Sequence, residues 1–327
     1  MAKWTAFPYE LFDFDAAKVK KQWARLHAGD VEPLPKDAKV LDAWVLFHRG
    51  EFQKAHDAGL KAGGAGITVA NKAQAIYANY LEKSEKTKLA MFQQVAERAV
   101  ARQAEEPKDA NAWYWQAYAL GRYSQGISVT KALAQGLGTK VKTALETTIK
   151  LAPKHADAHT ALGTFHAEVI DKVGSLLGKT QGADKATGLA MFQQAIKLNP
   201  ASAIAMVEYA NGLVMLEGDR RMKEAEKLYA DAAACTPAGP PASRPTRWRC
   251  STSRWPSRSW RTDPCRDPTP RPSATATGPA RLPQPGRAAN SASPRRWWPA
   301  WRSARWWHRW SGGSRPWCVR RCTSRRL

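Results

Sequence analysis

The chain has 327 residues and a formal net charge of +23, enough length for one to three domains with an ample core. The charge is lopsided. Through Pro237 there are 24 Lys and 7 Arg against 26 acidic residues, a net of +5; beyond it stand 20 Arg, no Lys and two Asp, a net of +18. No stretch nears the roughly 18 apolar residues of a membrane span, and MAKWTAFPYELFDFD lacks the basic and apolar regions of a secretory signal. Cys235 is the one cysteine before Pro237, which leaves no disulfide framework there and points to a reducing, cytoplasmic setting.

In chain order, DFDAAKVKKQWARLHAGD reads first as a helix with Asp15 as its N-cap and Gly29 as its stop. It belongs to an N-terminal segment, residues 1–36, whose apolar side is suited to cover the open end of a repeat stack. Residues 41–63 and 72–100 then each read as a pair of helices, the second with an overlong second member.

From there prolines mark the units. PKDANAW starts at Pro107, PKHADAH at Pro153 and PASAIAM at Pro200, each with Ala three and five residues on, and Pro237 follows. Each proline closes one helix and presets the turn into the next. The spacings of 46, 47 and 37 residues are those of a solenoid. Small residues Ala117, Gly163 and Ala210 recur ten residues after their prolines, where two helices cross closely, and LAMFQQ occurs at both 89–94 and 189–194. Insertions of about a dozen residues fall near 123–139 and 169–187.

These residues carry a family resemblance. Residues 37–237 resemble tetratricopeptide (TPR) repeats: His159, Leu162, Gly163 and His166 stand at the first-helix positions, with His replacing aromatics. Gly188, Phe192, Ala195 and Pro200 stand at the second-helix positions, as do Ala225, Tyr229, Ala232 and Pro237 in the last unit. Ala43, Gly50, Phe52 and Ala55 mark an early unit. The resemblance implies an all-α, right-handed solenoid of TPR-like helix pairs that binds a peptide or helix of another protein in its concave groove without catalysis. The basic and Asn residues that clamp a C-terminal carboxylate in chaperone-binding members are not at matching positions.

Within WYWQAYALGRY, Trp113 and Ala117 fall on the packing face, and Tyr114, Tyr118 and Arg122 form a separate i, i+4, i+8 stripe. By resemblance that stripe faces the groove, joined by Thr160, Thr164, Val207 and Asn211 from later units; the other reading packs it against the 123–139 insertion. Tyr and Arg make good interface anchors because they bury much area at little entropic cost.

Other chemistry is sparse. GAGITVA and GLGTK are short glycine turns without the strand-to-helix context of a phosphate loop. His155, His159 and His166, with Glu168 nearby, are the candidates for a metal-dependent protein. His159 and His166, however, stand where the repeats require large packing residues, which reads as buried, hydrogen-bonded histidine. No cofactor, catalytic residue or metal ligand is assigned.

Residues 238–327 read as a disordered tail: ten Trp, 20 Arg and four Cys among Pro, Ser and Ala, with no Glu or Ile. Such a tail would bind nucleic acid or anionic membrane through phosphate contacts and stacking. Cys318 and Cys322 alone are a weak zinc signal. The composition is also that of GC-rich DNA translated out of frame. Codon choices exist for residues 247–263 whose shifted frame reads Leu-Ala-Leu-Leu-Asp-Val-Glu-Met-Ala-Lys-Pro-Glu-Leu-Glu-Asp, then stop. A frameshift is the expected origin of the tail.

Overall fold

A computed structural model of the chain describes residues 4–8 and 10–235; the tail expectations therefore lie outside the described residues. Those residues form helices and connections with no strand among them. Helix α1 (Ala16–Leu26) is followed by α2 (Ala38–Arg49) with α3 (Phe52–Ala62), then α4 (Gly66–Tyr80) with α5 (Glu85–Glu105). Next, α6 (Ala110–Gln125) leads through a short α7 (Val129–Ala134) to α8 (Leu137–Leu151). After these, α9 (Ala156–Thr180) pairs with α10 (Lys185–Leu198), and α11 (Ala203–Glu217) with α12 (Met222–Ala234) through a 3-10 turn at Gly218–Arg221. Each pair packs on the next, so the fold is an all-α solenoid of five helix pairs among the described residues.

Local chemistry explains the boundaries. Asp109, His155 and Ser202 each stand two residues after a pair-opening proline, and each side chain accepts a backbone N–H in the first turn of α6, α9 or α11. The prolines stop the preceding helix, and the caps satisfy otherwise orphaned donors of the following one. Asp15 caps α1 as expected, its Oδ1 accepting from Lys18 N at 2.7 Å. The helix, however, ends at Leu26, short of Gly29. Gly29 is small for another reason: a Cβ there would lie 2.4 Å from Oδ1 of Asp157. The first insertion folds as α7. The second extends α9, which breaks at Gly174 (φ +80°).

The core repeats a large-against-small contact. Phe92 of α5 and Phe192 of α10, from the two LAMFQQ copies, are 2% and 1% exposed. The Phe192 ring fits between Gly163 of α9 and Gly212 of α11; a Cβ at those glycines would come within 2.9 and 2.3 Å of it. Each such buried ring contributes about 1.5–3 kcal/mol. At the N-terminal end, α1 buries Val19 and Trp23 against the first pair, with Trp23 edge-on to Trp44 at 5.7 Å.

Candidate functional site

The first helices of successive pairs, α2, α4, α6, α9 and α11, share one face of the stack. That face curves inward, because residues of non-adjacent helices meet on it. Arg122 Nη2 of α6 lies 3.8 Å from Glu208 Oε1 of α11, although α9 intervenes in the chain. The guanidinium sits over the Tyr118 ring at 5.3 Å and donates through Nη1 to Gln125 Oε1 at 3.1 Å. Gln125 donates to Glu168 Oε1 of α9 at 2.7 Å, and Lys172 donates to the other oxygen at 3.2 Å. Tyr80, at the end of α4, completes the group and is 42% exposed.

Electrostatics tie these groups together. Burial opposes the charge on Arg122, but Tyr118, Glu208, Tyr80 and Glu168 hold its pKa above the ordinary guanidinium value. Burial pushes the Glu208 carboxyl up; Arg122 opposes this and Glu168 adds to it. The Tyr118 phenol is likewise raised by burial. Arg122 and Glu208 remain partly in contact with water, at 19% and 13% side-chain exposure. The result is a constricted, polar and aromatic centre on the inward face.

The stripe read from the sequence divides. Tyr118 and Arg122 stand at this centre, with neighbours from α4, α9 and α11 and, for Arg122, Gln125 at the start of the 123–139 stretch. Tyr114 is 6% exposed and packs with its ring 4.6 Å from that of His155. Thr160 is buried and its hydroxyl donates to Ala156 O at 3.1 Å. Thr164 lies half-buried beside Glu208, and Val207 is half-buried on α11. The Asn211 Oδ1 accepts from the Tyr229 hydroxyl at 2.6 Å. Tyr80, Glu168 and Glu208 were not read as groove residues. For Glu168 a signal existed: it follows Gly163 by five residues, as Arg122 follows Ala117, and so falls at the same level of the stack.

The three histidines are not brought together. His155 Nδ1 caps α9 by accepting from Ala158 N at 3.0 Å, which leaves the proton on Nε2 to donate to Asn111 Oδ1, also at 3.0 Å. Burial lowers its pKa to about 4. His159 Nε2 donates to Pro153 O at 3.1 Å. His166 Nδ1 accepts from Asp184 N at 3.1 Å. Among the described residues no group of three or more His, Cys, Asp or Glu side chains is placed to hold a metal ion. Among them, too, no helix is long and apolar enough to cross a membrane.

Helix pairs capped after a proline, crossing at small residues and stacked with one inward face define a TPR-like α-solenoid. A thermophilic TPR protein of Thermus thermophilus, known from its crystal structure, is similar to it: the alignment covers 61% of this chain and 91% of that one, at 16% identity and a TM-score of 0.46. No family model and no curated protein matches the chain.

Proposed function

We propose that the protein is a non-catalytic scaffold that holds an extended segment or helix of another protein on its inward face. Tyr80, Tyr118, Arg122, Glu208 and Asn211 form the contact centre. The observation that carries the reading is the convergence of four first helices on Arg122, with Tyr80 at the rim 42% exposed. An aromatic and a partly hydrated ion pair in a concavity supply area and direction at little entropic cost. Val100, 46% exposed on the second helix α5, is an apolar side chain away from this centre and serves as the comparison. A cytoplasmic setting agrees with this reading. The test is a photo-reactive phenylalanine analogue placed at Tyr80 or at Val100 and irradiated in the producing cell. Discrete protein adducts at Tyr80 and none at Val100 are expected; equal labelling at the two positions overturns the reading.

A further inference from the structure

Between α1 and α2 the chain does not simply close the end of the stack. Residues 27–32 run along the inward face and are held by three helices beyond the first pair. The Asp30 carboxylate accepts from Lys72 Nζ of α4 at 2.5 Å and is bonded to His27 Nδ1 at 2.9 Å. Asn111 Nδ2 of α6 donates to both Asp30 O, at 3.2 Å, and the Glu32 carboxyl. The backbone N–H of Asp157, in the first turn of α9, donates to Gly29 O at 3.0 Å. Trp23 Nε1 donates to Glu32 O at 2.8 Å. Carbonyls on amide donors and carboxylates on Lys and Asn are the contacts a bound acidic peptide makes.

The segment is held at a conformational cost. Val31, β-branched and 38% exposed, has φ +43°, a left-handed conformation that such residues rarely adopt. Strain of this kind marks segments fixed by their surroundings rather than by local preference. Beyond it, Pro33 and Pro35 flank an exposed Leu34 before α2 begins. Release of residues 28–34 would relieve the Val31 strain at the cost of the bonds that hold them, the one from Trp23 included, and Val19 and Trp23 have the first pair to pack on without it.

We propose that the surface formed by Lys72, Asn111 and the Asp157 amide is a second recognition site, for an acidic extended segment of a partner protein, and that the chain's own Asp30–Val31–Glu32 occupies it in the free state. The site lies one step along the same face from the Arg122 centre, since Tyr114 beneath it also touches Tyr118, with ring centroids 6.2 Å apart. Burial raises the Glu32 carboxyl well above the usual range. Burial also opposes the charge on Asp30, but Lys72 and His27 outweigh it and hold that carboxyl well below the usual range. Asp30 thus supplies the charge that Lys72 answers.

The experiment uses the full chain and a fluorescein-labelled peptide of residues 26–34, LHAGDVEPL, read by fluorescence anisotropy. In an Asp30→Asn/Glu32→Gln variant the internal segment competes less, and the peptide is expected to bind about tenfold more tightly than to the unsubstituted chain. Adding Lys72→Met is expected to remove the gain, and a peptide with Asn and Gln in place of its acids is expected not to bind. A folded variant with unchanged affinity, or a gain indifferent to Lys72, overturns the proposal. Should the variant fail to fold, hydrogen exchange of the unsubstituted chain decides. The Asp157 amide, bonded to Gly29 O, is expected to exchange about a hundredfold faster than that of Leu162 in the same helix. Equal exchange of the two amides makes residues 27–32 a fixed part of the core and overturns the proposal.

Discussion

Gly212→Ala and Gly121→Ala are the same chemical change in two helices, and the structure predicts opposite signs. At Gly212 an added Cβ would lie 2.3 Å from Cε2 and 2.8 Å from Cζ of Phe192, where ordinary contact begins at 3.4 Å. The ring must move by about 1 Å, and on the α9 side there is little room, since a Cβ at Gly163 would itself lie 2.9 Å from it. Overpacking of this kind costs about 1–3 kcal/mol, and the better helix propensity of Ala returns up to about 1 kcal/mol. A net loss of about 1–2 kcal/mol follows, or roughly 3–6 °C for a domain of this size. At Gly121 nothing lies within 4 Å of the added carbon, so only the propensity gain remains, about 0.5–1 kcal/mol and a rise of roughly 2 °C. Thermal unfolding followed by circular dichroism reads both. Phe192→Leu in the Gly212→Ala background should recover part of the loss relative to Phe192→Leu alone, because the smaller side chain vacates the contested space. Equal stability of the two alanine variants would refute the packing of α9, α10 and α11 described above.

Three further outcomes are expected. His155 is fully buried, with a pKa near 4 against 6.5 when unfolded. Its stabilisation is therefore intact above pH 6.5 and lost as the pH falls toward 4, on the order of 3 kcal/mol in all. His155→Asn keeps a cap on α9 without the titration and should reduce the slope of the urea-unfolding free energy across that window, the rest coming from the other histidines whose pKa burial lowers, His27, His48, His56 and His166; an unchanged slope contradicts the buried neutral imidazole. Ser202→Ala removes the acceptor for Ala205 N and should cost about 1 kcal/mol in the same assay, whereas no change would mean that α11 starts elsewhere. Arg122→Met should raise the Glu208 carboxyl further in a carbon-detected NMR titration. It should also lower stability at neutral pH by about 1–3 kcal/mol, partly restored by Glu208→Gln. Additive effects of the two substitutions would mean that the ion pair does not couple α6 to α11.

The repeat architecture was legible because its determinants are local. Pro107, Pro153 and Pro200 each stop a helix and stand two residues before a cap, and Gly163 and Ala210 mark crossings at a fixed offset. The copied LAMFQQ placed Phe92 and Phe192 in equivalent buried positions. The inward face was legible only in part. Helical spacing puts Tyr114, Tyr118 and Arg122 on one stripe, yet Tyr114 is covered while the other two stand at the centre. Tyr114 is buried against the His155 ring, near Asp157 and Asp30, and the path of residues 27–32 depends on Asp30 finding Lys72, 42 positions away, and Glu32 finding Asn111, 79 positions away. Glu208 is missed for a related reason. Periodicity gives the face a residue occupies on its own helix, but whether α11 comes within reach of α6 depends on the rotation accumulated over the intervening pair. The histidines were legible: buried, hydrogen-bonded side chains are expected at 159 and 166, and each ring is buried with a backbone polar group as its partner.

The central claim is that the inward face around Arg122 holds a protein partner. The most direct measurement is calorimetric titration of the partner recovered by cross-linking at Tyr80 against the full chain and its Tyr80→Ala and Val100→Ala variants. All three should keep the thermal midpoint within a few degrees, since both side chains are surface-exposed. The account predicts a dissociation constant about tenfold weaker for Tyr80→Ala, with Val100→Ala unchanged. Equal affinity for all three would contradict it.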